Sequence, residues 1–239
     1  QKIFTSLASD ADYCWLAVRT DPDVPKHKGI SMIIVPMDTP GITVQPMDLM
    51  SEHDINQVFY EDVRVPAANL VGGENNGWSL ITNQLNHERV TLCSSGMLEQ
   101  TYEETLRFAQ DTKLADGRRV IDQEWAQLNL ARVRAGLEFL RLVNWKVAWG
   151  ATEGHPLDIG AASTIKVFGT EFYLEAFRLL MEVVGPASYL RSGSPEALLH
   201  SRLERNYRSL IILTFGGGVN EVQRDLIAMF ALGLPRADR

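Results

Sequence analysis

The apolar positions of this chain follow one period up to about residue 72 and a different period beyond it. The first part carries short runs of β-branched and aromatic residues, broken by turn residues such as Asp21-Pro22-Asp23 and Thr39-Pro40-Gly41. Such runs are typical of strands. We place strands at 13–20, 29–36, 42–46 and 57–65. The pattern predicts a partial antiparallel β-domain over residues 1–72.

From Gly77 onward, proline and glycine are sparse and apolar residues recur at spacings of three and four. This is the period of helices that pack on one side. We expect helices at 77–111, 122–153, 157–184, 195–212 and 220–232. The start signals are Asp122 before Trp125, Ser194 before Pro195, and Asn220 before Gln223. The second part, 73–239, therefore reads as an all-α antiparallel helix bundle, and the fold class is α+β.

Composition narrows the range of functions. The chain has 239 residues, 45% of them apolar, and begins at Gln1 without an initiator Met, so we expect a globular piece of a longer protein. A net charge of −7 without long basic runs argues against nucleic acid and against a membrane surface. Only Cys14 and Cys93 occur, and the histidines are scattered, so we expect no metal site and a cytoplasmic location. No apolar run has the length that a membrane span needs.

Glu88 is the first candidate for chemistry. It shares a helix face with Leu85 and Leu92, which should pack against the bundle. A carboxylate on an apolar face loses solvation, which suits a general base acting on a weakly acidic C–H. The alternative is a structural ion pair with Arg89 or with a basic residue of a neighbouring helix.

A run of three glycines, Gly216-Gly217-Gly218, precedes the last expected helix. Backbone N–H groups in such a run could face an anion, or the run could be a flexible turn. Two other features point to ordinary structure. Lys166, in the Ser163-Thr164-Ile165-Lys166 segment, is expected at the helix surface or in an ion pair. Four tryptophans at helical spacing are expected in the core, namely Trp78, Trp125, Trp145 and Trp149.

An ordered set of motifs resembles the acyl-CoA dehydrogenase family over nearly the whole chain. The set comprises Gln1-Lys2-Ile3-Phe4-Thr5-Ser6, Val18-Arg19-Thr20-Asp21-Pro22, Phe59-Tyr60-Glu61-Asp62-Val63-Arg64-Val65-Pro66, Gly73-Glu74-Asn75-Asn76-Gly77-Trp78 and Asn220-Glu221-Val222-Gln223-Arg224. The resemblance implies that the family's N-terminal helical domain is missing here. It also implies FAD as cofactor, an acyl-CoA substrate, a trans-2-enoyl-CoA product and an electron-transfer flavoprotein as acceptor.

The same resemblance implies where the base lies. Most members place it just before the final helix, in a Tyr-Glu-Gly-Thr motif, and that position here holds Gly217. A smaller set, including the isovaleryl and long-chain types, places it on the first helix of the C-terminal domain, in a Leu-x-x-Glu-Arg context. Residues 85–89 match that context, so Glu88 is the implied catalytic base. Gly217 would leave room for it, and Arg89 and Leu85 are implied contacts of the substrate.

The implied cofactor contacts lie at both ends of the chain. They are Phe4, Thr5 and Ser6 on the first strand, and Gly217, Gly218, Asn220 and Glu221 around the start of the last helix.

Two stretches depart from the family pattern. An Arg-x-Thr-Phe-Gly motif, which reaches the neighbouring subunit's FAD, is replaced by Thr112–Asp116, and a Gln-x-x-Gly-Gly contact is replaced by Glu182–Pro186. An acidic side chain beside the diphosphate of FAD is electrostatically unfavourable, because like charges repel. We therefore expect an unequal pair with a homologous subunit, similar to the heterotetrameric dehydrogenases of steroid side-chain CoA thioesters. A homotetramer and a catalytically silent scaffold subunit are the alternatives.

Overall fold

The computed structural model describes residues 1–51, 54–155 and 157–236. The chain divides into two compact units, Gln1–Leu85 and Asn86–Arg239. The first unit holds every strand of the two sheets described below, and the second holds the helices from Gly96 onward. The domain boundary expected between residues 72 and 73 stays a prediction.

Two three-stranded antiparallel sheets form the first unit. The strands are β1 Lys2–Ser6, β2 Tyr13–Arg19, β3 Ile30–Pro36, β4 Ile42–Met47, β5 Ile55–Tyr60 and β6 Leu70–Val71. Their orders are β1-β5-β4 and β2-β3-β6. Buried Leu16, Met32 and Val58 come from both sheets. The expected antiparallel β-domain is confirmed, although the strand expected to end at residue 65 ends at Tyr60, because Asp62 turns the backbone with a φ of 50°.

The single helix expected over 77–111 is wrong, because the chain forms two helices there. They are α1 Gly77–Thr91 and α2 Gly96–Asp111. The break falls at Ser94 and Ser95, whose hydroxyls compete with helical hydrogen bonds. Side chains from other helices satisfy the freed carbonyls. Asn144 donates to the Cys93 carbonyl over 2.9 Å, and the Tyr173 hydroxyl donates to the Ser94 carbonyl.

The remaining helices are α3 Glu124–Thr152, α4 Ile159–Val184, α5 Arg202–Leu210 and α6 Asn220–Leu226, with a π-helical turn at Ile227–Ala231. The start expected at Ser194-Pro195 is wrong, because α5 begins only at Arg202. Leu199, His200 and Ser201 have φ values of 50°, 53° and 54°, a left-handed conformation that a right-handed helix cannot include. Asp122 is not a helix cap either, since Gln123 occupies that position and Asp122 pairs with Arg119 at 2.8 Å.

Helix α4 forms the centre of the second unit and packs against α2, α3, α5 and α6. Most of its apolar residues are buried, as expected of a helix surrounded by others. Leu140, Phe177 and Leu180 are fully buried in this core. Gly169 allows a close approach to the end of α1, because a Cβ there would lie 2.5 Å from the Cβ of Cys93. The expected helix bundle is confirmed.

The expectation that four tryptophans lie in the core is wrong. Trp78, Trp125, Trp145 and Trp149 are between 45% and 62% exposed. On the C-terminal half of α3, Phe139 and Leu142 are exposed beside Trp145 and Trp149. Their spacing places these four side chains on one face of α3, which we call the α3 aromatic stripe. Helical spacing reveals a shared apolar face but not what covers that face.

Within residues 1–51, 54–155 and 157–236, no helix is long and apolar enough to cross a membrane. The same part of the chain holds no group of three or more His, Cys, Asp or Glu side chains that could share a metal ion.

Gly169 gives a test of this packing. Gly169→Ala should destabilise the protein by about 1–3 kcal/mol, because the added methyl overpacks the contact with Cys93 and outweighs the helix propensity of alanine. The matched control is Gly150→Ala on α3, where nothing lies within 4 Å of the new Cβ. The control should gain about 0.5–1 kcal/mol. Urea unfolding measures both, and a stabilised Gly169→Ala variant would contradict the packing.

Candidate active site

A buried lysine organises the segment between α5 and α6. Lys166, on α4, has no exposed surface. Its Nζ donates to the carbonyls of Thr214 (3.0 Å) and Gly218 (2.8 Å) and to Oδ1 of Asn220 (2.5 Å). Burial lowers the pKa of Lys166 to about 8. The expectation of a helix-surface or ion-paired residue is therefore wrong, because the amine points into the bundle and binds uncharged oxygens.

The three glycines 216–218, hereafter the glycine loop, lie against the end of α1. Gly217 and Gly218 have φ values of 68° and 98°, which side chains rarely allow. Nε of Arg89 donates to the Gly217 carbonyl over 3.0 Å, and Nε2 of the fully buried Gln223 donates to the same oxygen over 3.3 Å. A Cβ on Gly217 would lie 3.2 Å from Leu92. The loop is therefore in direct contact with the helix that carries Glu88.

Asn220 is held by side chains of α4. Its Nδ2 donates to Oγ1 of Thr170 and to Oε1 of Glu171, each at 3.1 Å, while its Oδ1 accepts from Lys166. Arg224 closes the network by pairing with Glu171 at 2.8 Å. The capping box expected at Asn220 is not formed, since Val219 precedes the helix as its cap and the Asn220 side chain turns into the bundle. The role of Asn220 in holding a cofactor stays a prediction, as does the role of the exposed Glu221.

Glu88 is half-buried on the last turn of α1. Over the described ranges of the chain, its carboxylate makes no hydrogen bond and no ion pair. The guanidinium of Arg89 is directed elsewhere, with Nε on Gly217 and Nη1 on Oδ1 of Asn86 at 2.7 Å. Burial lowers the pKa of Arg89, and the charge of Glu88 opposes that shift. The two charges therefore influence each other without forming the structural ion pair that was the alternative.

The expected flavin strand, β1, is the edge strand of its sheet. Its outer edge offers unpaired backbone groups for hydrogen bonding. Phe4 has a φ of 62°, and the residue is 64% exposed. In the part of the chain that the structure describes, the hydroxyls of Thr5 and Ser6 have no hydrogen-bond partner. An aromatic ring, free hydroxyls and an open strand edge fit a planar ring that carries polar edge atoms, as the isoalloxazine does.

The two departures from the family pattern have partners within the chain. Arg118 and Asp116 form an ion pair of 2.7 Å in a tight turn, and this contact lowers the pKa of Asp116. Glu182 pairs with Arg178 and accepts from Nδ2 of Asn129 over 2.9 Å. Both acidic side chains are thus paired within the chain.

The second unit brings some of the expected site residues together and leaves others apart. Arg89, Gly217, Gly218 and Asn220 join one contact network beside Glu88, while Phe4, Thr5, Ser6 and Leu85 belong to the first unit. Lys166 and Gln223 are the contributors that sequence reasoning missed. A lone lysine in an apolar helix was the available signal, because such residues are rarely buried without a specific partner.

Two protein-family models match most of the chain. The chain matches the acyl-CoA dehydrogenase middle domain over residues 1–63 and the acyl-CoA dehydrogenase C-terminal domain over residues 75–232. Sheets and bundle together form the acyl-CoA dehydrogenase fold. The chain belongs to the acyl-CoA dehydrogenase family.

Among its relatives is the acyl-CoA dehydrogenase FadE26 of Mycobacterium tuberculosis, which is 54% identical over 100% of this chain and 61% of that protein. A chain in the crystal structure of the ChsE4-ChsE5 complex from Mycobacterium tuberculosis is 55% identical, with a TM-score of 0.88 over 98% of this chain and 60% of that one. The Tcur3481-Tcur3483 steroid ACAD is 43% identical, with a TM-score of 0.90 over 99% of this chain and 60% of that chain. The chain spans about 60% of the length of these relatives.

The packing of Cys93 beside Lys166 gives a chemical test. Cys93 is fully buried, its Sγ lies 3.6 Å from the Lys166 carbonyl, and burial raises its thiol pKa to about 12. Because the thiolate is the reactive form, Cys93 should resist alkylation at pH 8 in the folded protein. Half-buried Cys14 serves as the comparator, and both thiols should react in urea. Peptide mass spectrometry after iodoacetamide reads the outcome, and rapid native labelling of Cys93 would contradict it.

Proposed function

We propose that this chain is part of an FAD-dependent acyl-CoA dehydrogenase subunit that oxidises a thioester to its trans-2-enoyl-CoA, with Glu88 as the base. The observation that carries the proposal is the Glu88 carboxylate at the end of α1, which has no partner among the described residues, while the neighbouring Arg89 binds the glycine loop. A general base needs an unengaged carboxylate within reach of the proton it removes. We propose the cytoplasm as its location, because Cys14 and Cys93 are both free thiols.

The chemistry divides between the protein and its cofactor. FAD, when bound, would supply the acceptor for the β-hydride, and an electron-transfer flavoprotein would take the electrons onward. Glu88 removes the α-proton, so that one C–H bond breaks at each carbon and a double bond forms between them. Arg89 and Leu85 border the acyl group. Phe4, Thr5 and Ser6 would hold the flavin from the edge strand, and Gly217, Gly218, Asn220 and Glu221 would contribute around the start of α6.

The glycine loop supports this placement of the base. Gly217 occupies the position where most family members carry their carboxylate, and it presents no side chain there. A glutamate side chain that would otherwise take up space at that point is therefore absent. A steroid side-chain or branched acyl-CoA is the substrate class we propose, and similarity to a protein named as a steroid ACAD points the same way.

Glu88→Gln tests the base. Turnover of the assembled full-length enzyme should fall by at least about 10²-fold, since an amide cannot take the proton, while flavin absorbance stays unchanged. Glu99→Gln, a half-buried glutamate of α2, is the matched control and should keep its activity. Activity retained in the Glu88 variant would end the assignment and favour a catalytically silent subunit.

The α3 aromatic stripe supports an unequal assembly with a homologous dehydrogenase subunit. Phe139, Leu142, Trp145 and Trp149 are 48% to 62% exposed, and the Arg141 guanidinium lies 5.3 Å from the Trp145 ring centroid. Exposed apolar surface of this kind marks interaction sites, and Trp and Arg are enriched among residues that dominate binding. Two relatives belong to structures that name two chains, the ChsE4-ChsE5 complex and Tcur3481-Tcur3483.

Combined Trp145→Ala and Trp149→Ala substitutions test this surface. Losing two central aromatic contacts should weaken assembly by about 2 kcal/mol or more, roughly 30-fold. Sedimentation velocity over a dilution series measures the change. Tyr189→Ala, which removes an equally exposed ring outside the stripe, should leave assembly unchanged. Unaltered assembly in the double variant would reject the surface, and a stable homotetramer of the full-length chain alone, with one FAD per subunit, would reject the unequal pair.

A further inference from the structure

The ammonium of Lys166 bridges the two ends of the glycine loop. One acceptor, the Thr214 carbonyl, lies before the loop, and the other backbone acceptor, the Gly218 carbonyl, closes it. The third acceptor is Asn220 in the first turn of α6. An ammonium has three N–H donors, and all three are used here. One side chain of α4 therefore fixes both the entry and the exit of a three-residue loop.

The middle of the loop is held from the other side. The Gly217 carbonyl accepts from Arg89 of α1 and from Gln223 of α6. Glycine is the most flexible residue, so three in a row have a large conformational entropy to lose on ordering. Contacts from charged and amide donors fix this loop, because its own side chains cannot.

The need to fill space in the core does not explain why this position holds a lysine. An apolar side chain of similar length would occupy the same space without the desolvation of a charge. The other charged and titratable groups that act on the ammonium are Arg89 of α1, Cys93 after α1, Glu171 of α4 and Glu221 of α6. None of them forms an ion pair with Lys166 in the described part of the chain. The ammonium instead gains hydrogen bonds to the carbonyls of Thr214 and Gly218 and to the side chain of Asn220.

We propose that Lys166 is a positioning residue that holds the glycine loop so that Gly217 engages Arg89 and leaves the Glu88 carboxylate unpaired. The inference rests on the proposed role of Glu88 as the base. If the loop loosens, Arg89 loses its carbonyl acceptor, keeps only Asn86 as a partner, and can turn its guanidinium toward the adjacent Glu88. Such a pair would stabilise the ionised carboxylate and make it a weaker base.

The test uses Lys166→Met in the full-length protein assembled with its partner and FAD. Methionine keeps the length of the side chain and removes all donors. Hydrogen exchange of peptides covering residues 211–226 should become at least about tenfold faster. With an acyl-CoA that the wild type oxidises, kcat should fall by about 10-fold to 100-fold with KM within about threefold, because misplacement of about 1 Å carries such a loss. The acidic limb of the pH profile of kcat/KM should move to lower pH.

The control is Leu180→Ala, which truncates a fully buried residue of the same helix without removing a donor. It should lower thermal stability while leaving exchange of residues 211–226, kcat at low temperature and the pH profile unchanged. Where Lys166→Met does not fold, Asn220→Ala removes one of the three acceptors and should show the same changes in smaller measure.

The outcomes separate the two claims. Unchanged exchange in Lys166→Met overturns the role of Lys166 in holding the loop. Faster exchange with unaltered kcat and pH profile overturns its link to Glu88. A wild-type assembly that oxidises no acyl-CoA overturns the proposed function instead, and the exchange measurement then still decides whether Lys166 holds the loop.

Discussion

An amine enclosed by apolar helices needs an acceptor for every N–H, and in this chain the acceptors come from the segment that joins α5 to α6. Lys166 reaches the carbonyls of Thr214 and Gly218 and the side chain of Asn220. Because each oxygen belongs to a different part of that segment, satisfying one charge sets the path of the backbone through it. The glycine loop, the first turn of α6 and the contact with Arg89 all follow from this one requirement.

The fold was largely accessible from the sequence, since alternation and turn residues located the strands and helical spacing located the bundle. The errors share a cause. Ser94 and Ser95 end α1 because Asn144 and Tyr173 supply donors from distant positions, and no local pattern reveals such partners. The left-handed backbone at Leu199–Ser201 cannot be predicted from the sequence pattern either, because these residue types carry no signal for it.

The candidate site was accessible only in part. Glu88 and the glycine loop stood out through residue type and position, and the structure places Arg89 on Gly217. The contribution of Lys166 depends on which way one side chain points from a central helix, and sequence spacing alone leaves that direction open. The exposed tryptophans show the same limit. Helical spacing identifies an apolar face, but it is the same whether that face packs against this chain or against another one.

The α3 aromatic stripe affects how readily the free chain aggregates. A chain made in excess of whatever covers the stripe keeps two indole rings and their apolar neighbours in water, where they favour clustering with any similar surface. In the proposed unequal assembly, association with the second subunit would draw the chain out of that pool by mass action. The proportion in which the two subunits are made would then set how much of this chain stays free to cluster.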